Sequence, residues 1–418
     1  MRNIYRICVA LLPLLFVACT TPGNKEEPAA TYLKVSPSAI TFDSDSDNFF
    51  VVDTDGAWEI TASSKIKLSA ISGNAGLSTV RIVEMTATST QTIVVRTPSN
   101  LVLVQTVKVS PGDQVSPNPT HEYNWAELPR DNPNKYKSEY VYGRHWTTTY
   151  SSKKRVRNYF YCYDVRRHSP MWIAHPQHAI YQEGGKTRPD RDPWACDPYL
   201  TENESATIYP IDGYACSLRT YFDDYYEDFY QWQRGHMLAS SYRGCGDKYN
   251  PAEINVQTFY SSNVAAQRQN DSAFQKLWGA AETKILDSYV CSDTLYVVSG
   301  AHFANENTTA IDARVDKFPE RCKTCIVPTH FYKILLRTKS GNTGKAIQEC
   351  SADELKAVGF WFSNTNVDEQ TGLASPTLSK AHMRSIDEIE RLTGNEFDFF
   401  PDIPESVEAS FNASDWGF

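Results

Sequence analysis

Apolar and polar residues alternate over short runs in the first part of the chain, as in Leu33-Lys34-Val35 and Thr92-Ile93-Val94-Val95-Arg96. A period of two turns one side of each run toward a core and the other toward water, and clusters of Ser, Asp, Asn and Gly separate the runs. The pattern predicts an all-β sandwich over residues 30–112. Beyond it the signals are mixed. Leu295-Tyr296-Val297-Val298-Ser299-Gly300 and Cys325-Ile326-Val327-Pro328 read as buried strands. Ala273 to Leu286 has helical spacing, with Phe274, Trp278 and Ile285 apolar on one side. A second helix is predicted through Ile386, Ile389 and Leu392, stopping near Gly394. Strands flanked by helices, without regular alternation, indicate α+β organisation for this part.

The length of 418 residues exceeds what a single core of about 150 residues organises, so two domains are expected. Pro111, Pro117 and Pro119 mark the division, with a linker over 113–130 and the second domain over 131–410. At the start, Arg2 and Arg6 precede an apolar run from Ile7 to Ala18 that is too short to span a bilayer, which predicts a signal peptide over 1–18. The run ends in Phe16-Val17-Ala18-Cys19, which resembles the lipobox of bacterial lipoproteins. That resemblance implies a diacylated Cys19 holding the protein to a membrane of the cell envelope, periplasmic or at the surface. Residues 19–29, with Lys25, Glu26 and Glu27 among Pro and Thr, suit a flexible tether.

Export changes how the cysteines are read. Of 10, Cys8 lies in the signal and Cys19 at the lipid site, and the others all follow position 160. Their even number in an oxidising compartment predicts disulfides. The alternative for Cys322 and Cys325 is half of a zinc site, but no second pair of suitable spacing accompanies them. The formal charge of −9 becomes more negative once Arg2 and Arg6 leave with the signal. That charge argues against a broad basic surface for nucleic acid, and any phosphate binding is expected to be local. Lys153, Lys154, Arg155, Arg157, Arg166 and Arg167 concentrate positive charge early in the second domain, where they would steer a phosphate backbone. Asp223, Asp224, Glu227 and Asp228 oppose them.

The residues with the strongest chemical signal are Gln233-Arg234-Gly235-His236-Met237. Cutting a phosphodiester requires an attacking water, a base for its proton, and positive charge beside the phosphate. A neutral, oriented histidine supplies the base, and an arginine holds the phosphate by parallel hydrogen bonds. On an extended segment Arg234 and His236 point the same way, and Gly235 allows close backbone approach.

The surroundings of this segment extend the signal. Gln233-Arg234-Gly235-His236-Met237-Leu238-Ala239-Ser240-Ser241 is followed by Ser262-Asn263-Val264-Ala265-Ala266-Gln267 and by Trp278-Gly279-Ala280-Ala281-Glu282. Further on come Val297-Val298-Ser299-Gly300, Val327 to Lys333, Gly359-Phe360-Trp361, and Ser385 through Gly394 to Phe399-Phe400-Pro401. In this order, from about 140 to 405, the region resembles the DNA/RNA non-specific endonucleases of the ββα-metal type. The resemblance implies an α+β ββα-metal nuclease fold, a Mg2+ or Mn2+ cofactor, DNA or RNA as substrate, and a homodimer. It implies His236 as general base, Arg234 on the scissile phosphate, Glu282 binding a water on the metal, and Asn263 helping to build the site. For Asn263 a loop-capping role is the alternative. A second phosphate-binding arginine is expected between Gly184 and Asp197, with Arg191 fitting the spacing to Trp194 better than Arg188.

The match departs at the metal ligand. The family places an asparagine four residues before the tryptophan, where this chain has Phe274. Asn270 is the nearest candidate, one helical turn or about 5.4 Å away, and Gln275 is the alternative. Gln233 replaces an aspartate and Ala266 a proline. In the first domain, Val35-Ser36-Pro37, Trp58-Glu59-Ile60, Ser72 to Gly76 and Thr106 to Val109 resemble the BACON family of immunoglobulin-like modules. That resemblance implies glycan contact, while a spacer role is the plainer reading and Trp58 is expected in the core. Two rivals to the nuclease remain: a metal-less domain that binds nucleic acid or another polyanion, and a surface adhesion protein.

Overall fold

A computed structural model of the chain describes residues 30–418, except 37, 43–47, 99–101, 112–124, 133, 136, 138, 221–231 and 270. The expected signal, Cys19, the tether, much of the linker, the acidic run from Asp223 to Asp228, and Asn270 lie outside the described residues.

The N-terminal region is β-rich. Strands Leu33–Ser36, Phe49–Thr54, Gly76–Met85 and Ile66–Leu68 form one sheet in that order, and Ala39–Phe42, Val104–Pro111, Gln91–Arg96, Trp58–Thr61 and Ser72–Gly73 form another. The alternation read from the sequence is realised: Phe50 and Val52 of one sheet and Ile93, Val95, Val107 and Val109 of the other are buried in a single cluster with Trp58. Trp58 is a core residue, and Gly73 lies so close to its ring that a Cβ there would come within 2.5 Å of Trp58 Cζ2. This region packs on the rest of the chain. Phe49 meets the Tyr199 ring at 4.7 Å, Thr79 Oγ1 donates to the Pro198 carbonyl at 2.8 Å, and the Arg81 guanidinium lies 5.9 Å from the Tyr199 ring centre.

The C-terminal region is organised by a seven-stranded antiparallel sheet. Its order is Tyr140–Thr148, Arg155–Asp164, Ser169–Gln177, Leu295–His302, His330–Thr338, Leu355–Ser363 and Met383–Arg384. Successive side chains go to opposite faces, so Tyr161, Val297, Phe331, Leu335 and Phe362 join one core. Their neighbours Cys162, Val298, Tyr332, Leu336 and Trp361 join the other. The first face is covered by the helix Ala273–Lys284, whose Phe274 and Trp278 pack there, and the second by the helix Ile386–Leu392 through Ile386 and Ile389.

Ser272 caps the longer helix by accepting from the Gln275 amide at 3.1 Å, and the shorter one ends where Gly394 takes a positive φ of 79°. The expected strand at Cys325 to Pro328 shrinks to Cys325–Ile326, paired with Thr309–Asp312 in a separate small sheet. Pro328 has no N–H with which to extend it.

Disulfides are absent among the described residues: Cys162, Cys196, Cys216, Cys245, Cys291, Cys322, Cys325 and Cys350 are free thiols. The expected framework therefore needs correction. Cys322 closes a turn by donating its N–H to the Phe318 carbonyl, while Cys325 sits in a strand. Burial pushes the Cys325 thiol up to about 12, which disfavours the thiolate that zinc binding or disulfide exchange requires.

Candidate active site

The strand Trp232–His236 pairs antiparallel with Val264–Arg268, setting Arg234 opposite Ala266 and His236 opposite Val264. Gly235 makes this pairing compatible with what lies above it, because a Cβ at that position would stand 2.0 Å from Gln267 Cδ. Gln267 crosses there and donates from Nε2 to the His236 carbonyl at 3.4 Å.

Arg234 and His236 face the same way, as extended backbone requires. The Arg234 guanidinium lies 4.5 Å from the Trp194 ring centre and the His236 ring 4.9 Å from it. Phe259 stands nearly perpendicular to the imidazole at 4.9 Å. His236 Nε2 is buried and has no hydrogen-bond partner among the described residues. Burial, then the positive charge of Arg188, opposed by Asp192 and reinforced by Arg234, pulls the His236 pKa down to about 3. The imidazole is therefore neutral at pH 7 and carries a nitrogen that bonds to none of the described residues.

Of the two candidate second arginines, the structure brings Arg188 to this histidine. Arg188 grips Asp192 with Nε and Nη2 at 2.7 and 2.8 Å and lies over Phe259 at 5.2 Å. Arg191, favoured by its spacing to Trp194, is exposed and forms no ion pair with a described residue. Gripping Asp192 holds the half-exposed Arg188 side chain over Phe259, within electrostatic reach of His236.

Asn263 is buried and fully engaged. Its Nδ2 donates to the carbonyls of Leu238 and Thr258 at 2.9 and 2.6 Å, and its Oδ1 accepts from the Leu238 amide at 2.8 Å. With both N–H donors used and its oxygen engaged, it clamps the backbone that follows His236. Glu282 is on the helix, and its Oε1 is 3.9 Å from Lys333 Nζ. Lys333 is wholly buried and donates to Ser299 Oγ at 3.0 Å and to the Met237 carbonyl at 3.3 Å, with Nζ 3.7 Å from the Trp278 ring centre. Burial lowers the Lys333 pKa to about 8 against the pull of Glu282, and burial raises that of Glu282.

Phe274 is buried against Trp278 and Phe331, so the family's asparagine position is turned into core. Gln275 points the other way and donates from Nε2 to Gln267 Oε1 at 3.0 Å, which joins it through Gln267 to the backbone of His236. No group of three or more His, Cys, Asp and Glu side chains among the described residues is arranged to hold a metal. Much of the early positive charge is spent within the fold: Arg157 pairs with Glu127, Arg166 with Glu306, and Arg167 with Asp164 and Glu306.

The pattern of the DNA/RNA non-specific endonuclease family matches residues 143–406. The chain belongs to this family. As a DNA/RNA non-specific endonuclease it is a nuclease hydrolase with nucleic acid as its substrate, and the match spans the sheet, the paired strands and the helix described above. No curated protein matches it.

Three charged residues in the packing around these strands had only weak sequence signals. Lys333 stands in the run Phe331-Tyr332-Lys333-Ile334-Leu335, where a period of two places it on the core face with Phe331 and Leu335. That lone charge on an apolar face was the available sign. Asp197, which accepts from His145 Nε2 at 2.8 Å and from the Ser262 hydroxyl, had no local signal, because its partners are 52 and 65 residues away. Asp192, the partner of Arg188, was one charge in a charged loop.

Proposed function

We propose that the protein is a metal-dependent endonuclease that hydrolyses DNA or RNA phosphodiesters with little sequence preference, using His236 as general base. The observation that carries this reading is the neutral His236 between Arg234 and Arg188, with a buried Nε2 that has no partner among the described residues. A phosphodiester entering against the two guanidiniums brings negative charge beside the imidazole. That charge raises the depressed pKa toward the range in which a base works at neutral pH. Water attacks phosphorus, its proton passes to His236, the new P–O bond forms, and the bond to the leaving sugar oxygen breaks, with that oxygen taking a proton from solvent. Arg234 and Arg188 hold the non-bridging oxygens, Gln267 fixes the His236 carbonyl, and Asn263 fixes the backbone at Leu238, just after it.

A magnesium or manganese ion, when bound, supplies positive charge beside the phosphate and the leaving oxygen. The donor set fits an ion that keeps most of its waters, as magnesium does. Gln275 and Glu282 are seven residues apart on the helix and share a face. A Cβ added at Gly279 between them would meet nothing within 4 Å. Gln275 Oε1 and, through water, Glu282 are the residues that would hold it, in place of the asparagine lost at Phe274. Asn270, the other candidate, lies outside the described residues.

The lipobox supports attachment through Cys19 to a membrane of the cell envelope, and the N-terminal β-rich region then acts as a BACON-like, immunoglobulin-type spacer. Glycan contact by this region and a homodimer remain part of the proposal through family resemblance alone. A second reading, a metal-less domain that binds nucleic acid, is favoured by Phe274. Cleavage of plasmid DNA and long RNA by the full chain, with magnesium, manganese or EDTA, decides between them. Metal-dependent cutting that weakens in Gln275→Ala supports the enzyme, and retention of nucleic acid with no cutting under any metal supports the binding protein.

A further inference from the structure

Next to the arginine loop stands a hairpin that the chemistry above does not use. Gly246–Asp247 pairs with Asn250–Pro251, and the turn between them is closed by Asp247 Oδ1 accepting the Tyr249 amide at 2.9 Å. The hairpin is anchored on two sides. Gly244, Cys245 and Gly246 donate their amides to the carbonyls of Tyr181, Gly185 and Gly184 at 2.7, 3.2 and 3.1 Å, and Lys248 accepts at its carbonyl from the Asp190 amide at 2.8 Å. A Cβ at Gly244 would lie 1.6 Å from the Glu183 carbonyl oxygen, so the close approach depends on that glycine.

At the tip, Tyr249 is 72% exposed, more than any other large apolar side chain among the described residues. An exposed aromatic on a mobile loop needs no explanation, but this mount is held by four backbone hydrogen bonds. The ring is also oriented. Lys248 Nζ lies 4.6 Å from its centre and 3.5 Å from Asp190 Oδ1, so the ring centre is no more than about 8 Å from that carboxylate. Asp190 lies between Arg188, which reaches His236, and Arg191, which is exposed. Two residues of chain, one ladder-like pairing and one further residue place the Tyr249 Cα within about 16 Å of the Arg188 Cα.

We propose that Tyr249 is a stacking platform for an unpaired base of a single-stranded nucleic acid, a few nucleotides from the phosphate being cut. This rests on the nuclease reading of the site. Every base has a π-face, so such a platform binds without reading sequence, in keeping with a non-specific enzyme. Lys248 beside the ring and the exposed Arg191, which follows Asp190 in the chain, supply cationic contacts for the flanking phosphates. The arrangement suits a chain whose net charge of −9 argues against a broad basic surface. Bases inside a duplex are already stacked, so the platform favours single strands.

The test uses the full chain as wild type, Tyr249→Ala, Tyr249→Trp and His236→Ala. The substrates are a single-stranded oligonucleotide, duplex plasmid, and bis(p-nitrophenyl) phosphate, which has no base. Stacking worth about 1–3 kcal/mol per base predicts that Tyr249→Ala raises KM on the single strand about 5- to 150-fold. Its kcat, plasmid cutting and hydrolysis of the small ester should be unchanged, and Tyr249→Trp should restore KM. An unchanged KM in Tyr249→Ala, or equal losses on all three substrates, overturns the proposal. If wild type cuts nothing, the nuclease reading fails separately. Anisotropy of a labelled oligonucleotide then carries the test: weaker binding by Tyr249→Ala supports the platform, and equal binding refutes it.

Discussion

Lys333→Met isolates the buried charge that ties the backbone just after His236 to the helix. Methionine keeps the apolar stem and most of the volume, so the cavity cost is small. What is lost is the donor to Ser299 Oγ at 3.0 Å and to the Met237 carbonyl at 3.3 Å, and the positive charge 3.9 Å from Glu282. Breaking a buried pair from one side costs about 3–5 kcal/mol, because the remaining charge is left without compensation. The Glu282 side chain keeps 23% of its exposure, and the water reaching it offsets part of that cost, so the expected loss is about 3 kcal/mol. At about 2–4 °C per kcal/mol for a region of this size, Tm falls by about 6–12 °C in thermal unfolding at neutral pH. Adding Glu282→Gln to Lys333→Met should recover most of it, since the orphaned charge is then gone. A single variant as stable as wild type would show that Lys333 is no counter-charge and that the packing of its stem is all that matters.

Three further outcomes follow from the geometry. The folded pKa of His236 is about 3, below the ordinary 6.5, so the imidazole proposed as the base stays neutral in the free protein as pH falls through 6.5. The acid limb of kcat/KM therefore lies well below that value, and a limb centred near 6.5 would contradict the burial argument. By the same sign, the unfolded chain takes up a proton below about 6.5 that the fold refuses. His236 thus costs stability as pH drops, and denaturant titrations should show a shallower acid loss in His236→Gln than in wild type. Gly235→Ala drives a Cβ into Gln267, which should destabilise by about 1–3 kcal/mol and cut cleavage by about 100-fold through displacement of His236; wild-type rates would refute the clash. Phe49→Ala removes the aromatic contact between the N-terminal region and Tyr199, with an expected loss of about 1–2 kcal/mol in unfolding of the full chain; no change in stability would mean that this contact does not hold the two regions together.

Elements with an internal period were legible in the sequence. The alternation in Thr92-Ile93-Val94-Val95-Arg96 and the helical spacing of Phe274, Trp278 and Ile285 each report a single face meeting a single core, which is a local property of the chain. The Arg234–His236 pairing was legible for the same reason, since extended backbone alone aligns the two side chains. Features that depend on residues far apart in sequence were not. Arg188 and Arg191 look equivalent until Asp192 is seen to hold Arg188, and Asn263 becomes a clamp only when the strand it holds lies beside it. Cysteine number suggested disulfides, but pairing is a matter of three-dimensional geometry, and the eight described cysteines are free thiols. The loss of an asparagine at Phe274 was visible. That Gln275 reaches Gln267 from the adjacent helix position was not, because one step along a helix is a rotation of about 100° whose significance depends on what faces it.

The account stands or falls on His236 as the base, and the most direct measurement is chemical rescue. Full-length His236→Ala and wild type would be compared in plasmid cleavage with magnesium, with and without added imidazole. The account predicts that His236→Ala loses about 100- to 10,000-fold in rate while keeping its fold and its affinity for DNA, and that imidazole restores part of the rate. Cleavage by His236→Ala at the wild-type rate would contradict it.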